Sequence, residues 1–423
     1  MHKVHEQIRD AFMTRIDGVD VDTCDAGGED PFFVVDLGEV YRQHLRWKKN
    51  LGRVEPFYAV KCNPDPAILR LMVKLGNGFD CASKAEIDMV LRAGGHPSKI
   101  IYAQPCKTNS YIRYAKSVGV SLMTFDNADE LYKIKQLYPA ARLVLRIETD
   151  DSQAACQLSC KFGAQKSSVR PLLETAASLG LQVVGVSFHV GSGNEDPNAY
   201  RKCLSDANDV FSAALDYGYK MEYLDIGGGF NSEDFEKVAA NINRELDGMY
   251  MDRMMNDSDF KIIAEPGRYY VEMASSLAAH VIARRTINDQ GVLSHMLYLN
   301  DGVYGNFSGI MYDHQRPLPR LLKSNGRCFY NYERTPSDRH YTKYSIWGPT
   351  CDGIDWISKK CFLPDDIKTG DWLYFTKMGA YTTASATAFN GFPNDHQHIY
   401  VYTEAAIAPW KDELELDVRQ NGF

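Results

Sequence analysis

Residues 56–61 read PFYAVK, a short apolar run that is typical of a buried β-strand. Runs of the same kind follow at GFDCAS (78–83), IIYAQP (100–105), LMTFD (122–126), RLVLRI (142–147), VVGVSFHV (183–190), YLDIGGGF (223–230) and IIAEPGRY (262–269). Segments with helical spacing and charged faces lie between these runs: Ala67–Leu75, Lys84–Ala93, Ser110–Val118, Ala128–Leu137, Val169–Leu179 and Ala199–Leu215. This alternation predicts parallel strands joined by helical crossovers.

Eight strand-like runs between residues 56 and 269 favour a closed (β/α)8 barrel, of the TIM type, over an open sheet. The competing fold is a doubly wound α/β sheet that binds a dinucleotide. Its usual glycine fingerprint is incomplete, because Gly191-Ser192-Gly193 is not followed by a third glycine at the required position. The sequence therefore predicts a barrel over residues 38–277.

The periodicity changes after about residue 278. Short strand-like runs separated by turn residues predict a C-terminal antiparallel β-sheet domain. The apolar run PFFVVDL at 31–37 lies outside the barrel rhythm, and we expect this N-terminal strand to complete that sheet. The predicted β domain thus comprises residues 1–37 and 278–423. The charged, turn-rich stretch 320–343 predicts a mobile surface loop.

Composition narrows the class of protein. The 423 residues carry 47 basic and 55 acidic side chains, an excess of acid that predicts no nucleic-acid partner. No apolar stretch is long enough to predict a membrane span, and the first twenty residues lack the apolar block of a signal peptide. The ten cysteines are scattered without a CxxC pair, which favours reduced thiols in a cytoplasmic protein and predicts no metal site.

In a barrel of this kind the functional residues lie where the strands end. Lys61 ends the first strand, where we expect a poorly solvated amine that can act as a nucleophile on an aldehyde. His189 ends the sixth strand, and its ring can lie flat against a heterocycle. Taken alone, each residue is more often structural, as a lysine at the barrel rim or a structural histidine at a strand end.

The last two strands end in groups that suit a phosphate and a ring nitrogen. Gly227-Gly228-Gly229 leaves backbone N–H groups open to an anion, and Glu265 can pair with a protonated heterocycle. Gly267 and Arg268 add donors. A tight turn and a surface ion pair are the alternatives for these motifs taken singly. Together with the amine and the imidazole, they form the set of groups that holds pyridoxal 5′-phosphate.

Three motifs of the C-terminal half carry further candidates. Cys351 and Asp352 stand side by side in WGPTCDG, where they can serve as a proton donor and an ammonium binder. Tyr312 and Asp313 supply a second carboxylate and a phenol, and Tyr381 in MGAYT can reach a phosphate or a ring. Taken alone, these are ordinary turn and loop residues.

The motifs FYAVKCN, FDCAS, IIYAQPCK, SFHVGSG, LDIGGGF, AEPGRYY, WGPTCDG and MGAYT resemble the eukaryotic ornithine decarboxylases, which are group IV pyridoxal-phosphate-dependent decarboxylases with the alanine racemase-like fold. The resemblance runs from about residue 30 to about residue 403. It implies decarboxylation of L-ornithine to putrescine and CO2, the first step of polyamine biosynthesis. It also implies a head-to-tail homodimer with shared active sites and an antizyme-type protein regulator.

The resemblance assigns roles by motif. Lys61 would hold the cofactor covalently, Glu265 would pair with its ring nitrogen, and His189 would stack on the ring. The residues implied to bind the phosphate or support the cofactor are Asp80, Arg146, Ser192, Gly228, Gly229, Gly267, Arg268 and Tyr381. Cys351 of the partner subunit would donate the proton. Asp313, Tyr312 and the partner's Asp352 would bind the substrate.

Other functions remain open from the sequence. A lysine, arginine or diaminopimelate decarboxylase would share the fold, although two acids suit a terminal amine better than an amino-acid terminus. A non-catalytic regulator of the antizyme-inhibitor type would keep the fold without activity. The presence of Lys61, Glu265 and Cys351 argues against this alternative. A racemase would need two opposed bases and a less acidic ring partner than Glu265.

Overall fold

The computed structural model describes residues 2–194, 196, 198–289, 292–331, 341–364 and 367–416. They form two compact units. The first, the barrel unit, contains residues 43–270 and 414–416, and the second, the sheet unit, contains the described residues of 2–42 and 271–413. The sequence predicts boundaries at 37/38 and 277/278. The division at 42/43 falls inside a continuous helix, so no turn residue marks it in the sequence.

The strands in chain order are β1 (Phe32–Asp36), β2 (Val54–Ala59), β3 (Gly78–Cys81), β4 (Ile100–Tyr102), β5 (Leu122–Phe125), β6 (Arg142–Arg146), β7 (Ala154–Cys156), β8 (Gln182–Ser187), β9 (Ser192–Asn194), β10 (Tyr223–Asp225), β11 (Lys261–Ala264), β12 (Ser275–Asp289), β13 (Val292–Leu299), β14 (Arg320–Ser324), β15 (Arg327–Cys328), β16 (Tyr341–Trp347), β17 (Trp356–Pro364), β18 (Trp372–Phe375) and β19 (Gln397–Val401).

The α-helices in chain order are α1 (His2–Asp17), α2 (Leu37–Asn50), α3 (Pro66–Lys74), α4 (Lys84–Arg92), α5 (Asn109–Ser117), α6 (Ala128–Leu137), α7 (Val169–Ser178), α8 (Ala199–Leu215), α9 (Phe235–Met249), α10 (Met251–Asn256), α11 (Arg268–Val271), α12 (Gly309–Tyr312) and α13 (Lys411–Glu415). No helix in the described ranges combines the length and the apolar character needed to cross a bilayer.

Eight parallel strands close the barrel in the order β10-β11-β2-β3-β4-β5-β6-β8, which confirms the predicted (β/α)8 fold. Side chains from successive strands form one apolar cluster: Phe57, Ile101, Leu122, Val144, Val184, Tyr223 and Ile263. Gly185 faces this layer, where an added Cβ would lie 2.5 Å from the Tyr223 carbonyl oxygen. The interior is therefore filled by large side chains, and the rim is left for function.

Side-chain caps fix where several crossover helices begin. The carboxylate of Asp65 accepts hydrogen bonds from the first N–H groups of α3, at 2.9 and 3.0 Å. Ser83 does the same for α4, and Asn127 accepts a bond at 2.9 Å at the start of α6. Each cap satisfies N–H groups that a helix start leaves unpaired. The strand-to-helix loops are consequently short and fixed.

The sheet unit has the strand order β15-β14-β18-β12-β13-β16-β17, and β1 pairs with both β12 and β19. The prediction that the N-terminal strand completes this sheet is confirmed. The prediction of a purely antiparallel sheet was wrong, because β1 with β19 and β13 with β16 pair in parallel. Parallel neighbours arise here because the paired strands are far apart in the chain, so no hairpin fixes their direction.

The sequence patterns did not predict two features of the sheet unit. Helix α1 packs Phe12 and Ile16 into a core that also contains Phe32, Val34, Ala278, Leu322, Trp372 and Tyr374. The stretch 320–343, predicted as a loop, instead begins with the antiparallel pair β14–β15 and ends in β16. In β14 Leu321, Leu322 and Ser324 are buried, whereas Arg320 is exposed and Lys323 is half-buried, so a strand with charged residues at its surface was mistaken for a loop. Residues 332–340 lie outside the described ranges.

We expect a buried ion pair to be the most sensitive electrostatic contact of the barrel unit. The Lys107 ammonium lies 2.8 Å from Glu130, and both side chains are almost fully buried. Replacing Glu130 by alanine leaves that ammonium without its charged partner, which costs about 3–5 kcal/mol of unfolding free energy. Urea unfolding of the purified protein measures this loss. Glu222→Ala, which removes the half-exposed partner of Arg142, is the matched control and should cost at most about 1 kcal/mol. Equal losses in the two variants would contradict the prediction.

Candidate active site

Lys61 lies in a single 3-10 turn, Val60–Cys62, directly after β2. Its ammonium forms an ion pair with the carboxylate of Asp80, a buried residue on the neighbouring strand β3. The Lys61 side chain is 44 % exposed, so the expectation of a poorly solvated amine was wrong. The close carboxylate fixes the position of the ammonium, whereas the other oxygen of Asp80, Oδ1, is buried without a donor in the described part of the chain.

His189 follows β8, and its hydrogen bonds define the state of the ring. Nδ1 accepts the Gly191 N–H at 2.9 Å, so Nε2 carries the proton of the neutral imidazole. Burial lowers the pKa of His189 well below its usual value, and the positive charges of Arg146 and Lys61 lower it further. The side chain is consequently a neutral, flat ring at physiological pH.

The glycine run after β10 lies against this ring. Gly227 and Gly229 have φ values of +65° and +98°, a region that favours glycine. A Cβ on Gly228 would lie 2.8 Å from Nε2 of His189 and 2.9 Å from the Glu265 carbonyl oxygen. Within the described ranges, the backbone N–H groups of Gly228 and Gly229 have no hydrogen-bond acceptor. Two unsatisfied donors in a side-chain-free cradle fit an anionic ligand.

Glu265 follows β11 and forms a pair with a residue that sequence reasoning missed, Asp225 at the end of β10. The two carboxyl groups lie close enough for the charge of Asp225 to raise the pKa of Glu265. Asp225 accepts the Gly227 N–H at 2.9 Å through Oδ1, whereas its buried Oδ2 has no donor among the described residues. Two carboxyl oxygens can only bond each other if one carries a proton.

The pKa values of this pair agree with a shared proton. Burial raises the pKa of Asp225 from 3.8 to about 7. Burial, followed by the charges of Asp225 and Asp80, raises the pKa of Glu265 well above its usual value. Lys61 and Arg146 oppose the rise for Glu265. The position of Asp225, an acid two residues before a glycine run at a strand end, is the sequence signal that could have found it.

The remaining predicted residues of the barrel unit lie around this centre. Arg146 ends β6, and its guanidinium lies over the Phe162 ring at 5.4 Å. Gly267 packs against the turn that holds Lys61, where an added Cβ would lie 2.8 Å from the Cβ of Cys62. Arg268 begins α11, and Ser192 begins β9. The barrel therefore brings the amine, the imidazole, the acids and the glycine cradle to one rim.

Cys351 and Asp352 lie in the sheet unit, on the loop between β16 and β17. Cys351 is exposed, and its N–H donates to the Asn390 side chain at 3.4 Å. Asp352 accepts the Tyr304 hydroxyl at 2.6 Å, which is the main reason that its pKa is lowered, and the same bond raises the pKa of Tyr304 to about 12. Asp352 thus remains ionised and fixed in orientation.

The same loop is held by a residue that the sequence did not single out, Asp355. Its buried carboxylate accepts the Val303 N–H at 2.8 Å and both the N–H and the hydroxyl of Thr350, at 3.0 and 2.6 Å. Gly302 and Gly348 leave room for it, because a Cβ at either position would lie about 2 Å from its oxygen. Asp355 therefore sets the path of the backbone that carries the thiol and Asp352.

Within the sheet unit, Gln315 links Asp313 to the backbone at Ala380, the residue before Tyr381. The Gln315 amide donates to the Asp313 carboxylate at 2.8 Å and to the Ala380 carbonyl at 2.9 Å. Tyr381 adopts a φ of +53°, unusual for a residue with a side chain. Tyr312 is 74 % exposed. These residues and those of the barrel rim belong to different units, so their assembly into one site stays a prediction.

Comparisons with known proteins agree on one family. Residues 37–272 match the family model described as pyridoxal-dependent decarboxylase, pyridoxal binding domain. The chain is 53 % identical to the ornithine decarboxylase of Neurospora crassa, over 94 % of this chain and 86 % of that protein. It is 49 % identical to antizyme inhibitor 2 of Xenopus laevis, over 90 % and 82 %. Among solved structures, the arginine decarboxylase of Paramecium bursaria Chlorella virus, bound to agmatine, matches with a TM-score of 0.81 and 36 % identity, over 88 % and 97 %.

The buried carboxyl pair predicts a stability that depends on pH. Asp225 stays protonated in the folded protein up to about pH 7, whereas in the unfolded chain it ionises near 3.8. Between these two pH values the unfolded chain loses a proton that the folded protein keeps. The free energy of unfolding therefore falls as the pH rises. Asp225→Asn removes this effect, so its stability relative to wild type should increase with pH.

Urea unfolding of the cofactor-free protein from about pH 5 to about pH 8 measures this difference. Asp247→Asn is the control, because Asp247 forms an exposed ion pair with Arg53. A difference between Asp225→Asn and wild type that stays constant over this pH range would show that the pair does not share a proton.

Proposed function

We propose that the chain, which belongs to the family of pyridoxal-dependent decarboxylases that includes the ornithine decarboxylases, converts L-ornithine to putrescine and CO2, the entry reaction of polyamine synthesis. The observation that carries this proposal is the barrel rim, where Lys61, His189, Glu265 and the Gly228–Gly229 cradle lie together. Identity above one half to an ornithine decarboxylase, over nearly the whole chain, supports ornithine as the substrate.

Pyridoxal 5′-phosphate is the cofactor of this family, and the rim fits it. The two N–H groups of Gly228 and Gly229 match a phosphate, and Arg268, Ser192 and Tyr381 would supply further donors. Lys61 would supply the amine for its aldehyde, and Glu265, with Asp225 beside it, would pair with its ring nitrogen. Asp80 and Arg146 support these groups through charge.

The protein's part in the reaction is orientation and proton control. When bound, the cofactor supplies a ring that accepts the electron pair left by the departing carboxylate. Glu265 would pair with the ring nitrogen and keep a proton there, and the neutral His189 would leave the ring face uncharged. Asp80 keeps the amine of Lys61 at the position that the α-amine of the substrate takes over. The thiol of Cys351 delivers a proton to the substrate Cα.

Two carboxylates account for the preference for a substrate with a distant amino group. Asp352 is kept ionised by Tyr304, and Asp313 is held by Gln315, so each is ready to pair with an ammonium. A substrate without that group would leave acids unpaired, which costs far more than the loss of one methylene. Ornithine and lysine differ by one methylene, which this arrangement separates by only about 1–3 kcal/mol.

The assembly and cellular setting follow from the same family membership. We propose a homodimer in which Cys351 and Asp352 enter the site of the partner subunit, a cytoplasmic location, and an antizyme-type protein as regulator. Similarity to an antizyme inhibitor supports this last point and also raises a second function, regulation without catalysis. The presence of Lys61, Glu265 and Cys351 favours the enzyme.

We expect the purified protein, supplied with pyridoxal 5′-phosphate, to release CO2 from L-ornithine faster than from lysine, arginine or diaminopimelate. The two acids of the sheet unit favour a terminal ammonium and disfavour a terminal carboxylate. Release of labelled CO2 from the four amino acids under identical conditions measures the order. Lys61→Ala, which should be colourless and inactive, is the control. No release from any of the four would favour the non-catalytic function, and a faster reaction with lysine or arginine would reassign the substrate.

Shared active sites predict complementation between two inactive variants. A hybrid of Lys61→Ala with Cys351→Ala contains one site with both substitutions and one site with neither. Random mixing on co-expression makes half of the dimers hybrids, so about a quarter of wild-type activity should return. Putrescine formation measures the recovery. Hybrids purified through two different tags have one intact site of two, so their activity should be about half that of wild type, against about a quarter for the unseparated mixture.

Cys106→Ala, which removes another exposed thiol, should remain active alone and shows that the loss in Cys351→Ala is specific. Absence of recovery in hybrids that are verified to contain both chains would place Cys351 in the same subunit's site or outside the site.

A further inference from the structure

Tyr200 is a part-buried residue in the first turn of α8 that no motif singled out. Its hydroxyl donates a hydrogen bond to the carbonyl oxygen of Gly228 at 2.9 Å. Its ring packs on Phe230, with ring centroids 5.6 Å apart, and on Phe188, at 6.5 Å. Both phenylalanines are buried, so the ring has little freedom to turn. Burial also raises the pKa of Tyr200, which keeps the hydroxyl protonated and a donor.

This bond fixes the direction of a neighbouring donor. In a trans peptide, the carbonyl of one residue and the N–H of the next point to opposite sides of the chain. Because the Gly228 carbonyl points to Tyr200, the Gly229 N–H points away from it. That N–H is one of the two cradle donors without an acceptor in the described ranges. Tyr200 therefore acts on the cradle without being part of it.

The cradle needs such a contact because glycine does not hold its own conformation. Gly229 and Tyr200 both border a cavity of about 380 Å³, lined further by Asn194, Asn231, Asn241 and Lys237. Gly229 lines this open space, so without the hydroxyl bond the peptide that joins Gly228 to Gly229 would have room to rotate. The cavity thus gives the peptide room to rotate, and the hydroxyl bond limits that rotation.

We propose that Tyr200 is a positioning residue for the cofactor phosphate, holding the Gly228–Gly229 peptide so that its N–H points to the anion. This inference rests on the proposed function, since it takes pyridoxal 5′-phosphate as the ligand of the cradle. We therefore expect Tyr200 to affect the binding of the phosphate group and not the binding of the aldehyde or the ring.

Tyr200→Phe tests the inference, because phenylalanine keeps the ring contacts and removes only the hydroxyl. We expect the dissociation constant for pyridoxal 5′-phosphate to rise about 3-fold to 10-fold, the effect of one hydrogen bond. The dissociation constant for pyridoxal, which lacks the phosphate, should not change. The phosphorus NMR signal of the bound cofactor should shift. The melting temperature of the cofactor-free protein should fall by no more than that of Tyr250→Phe, which also loses one hydroxyl bond to a backbone carbonyl.

Tyr250→Phe is the matched control. Its hydroxyl also donates to a backbone carbonyl, that of Leu204 at 2.8 Å, in the core of the same unit. It should leave both dissociation constants unchanged. Equal affinity of Tyr200→Phe and wild type for pyridoxal 5′-phosphate would overturn the inference, and so would an equal loss for the cofactor and for pyridoxal. Failure of wild type itself to bind the cofactor would instead overturn the proposed function.

Discussion

The contact between Lys61 and the buried carboxylate of Asp80 is the interaction on which the rest of the site depends. Three acids, Asp80, Asp225 and Glu265, come together at one barrel rim, and buried like charges repel strongly. Lys61 and Arg146 balance part of this charge, and the raised pKa values of Asp225 and Glu265 favour protonation, which removes another part. The three acids are stable at the rim because the basic residues lie beside them. The same contacts hold Lys61 and Glu265 where they can react.

Much of the barrel could be predicted from the sequence, because its signal is local. Apolar runs and helical spacing each extend over a few residues, and the limits of α6 and α8 were predicted to the residue. Strand ends of a parallel barrel meet at one rim by topology alone, so Lys61, His189 and Glu265 could be grouped without coordinates. Membership of the family is consistent with that grouping.

What could not be predicted depends on side-chain direction and on distant pairing. Asp225 lies beside Glu265, and Tyr200 bonds the Gly228 carbonyl; no spacing rule in the sequence encodes either arrangement. The solvation of Lys61 was misjudged because a position at the end of an apolar strand does not reveal a carboxylate on the next strand. The parallel pairs of the sheet unit join strands far apart in the chain. Local sequence patterns do not indicate whether such strands pair in parallel or antiparallel.

Because Asp355 anchors the loop between β16 and β17, the structure indicates which positions of this loop can be substituted. Gly302 and Gly348 are closed to any larger residue, since a Cβ there would overlap the carboxylate. Gly353 has open space around it, and Ile354 is 46 % exposed. A mutant library intended to change the preferred diamine length therefore has two permissive positions beside Asp352, whereas variation at the two glycines would remove the loop's support altogether.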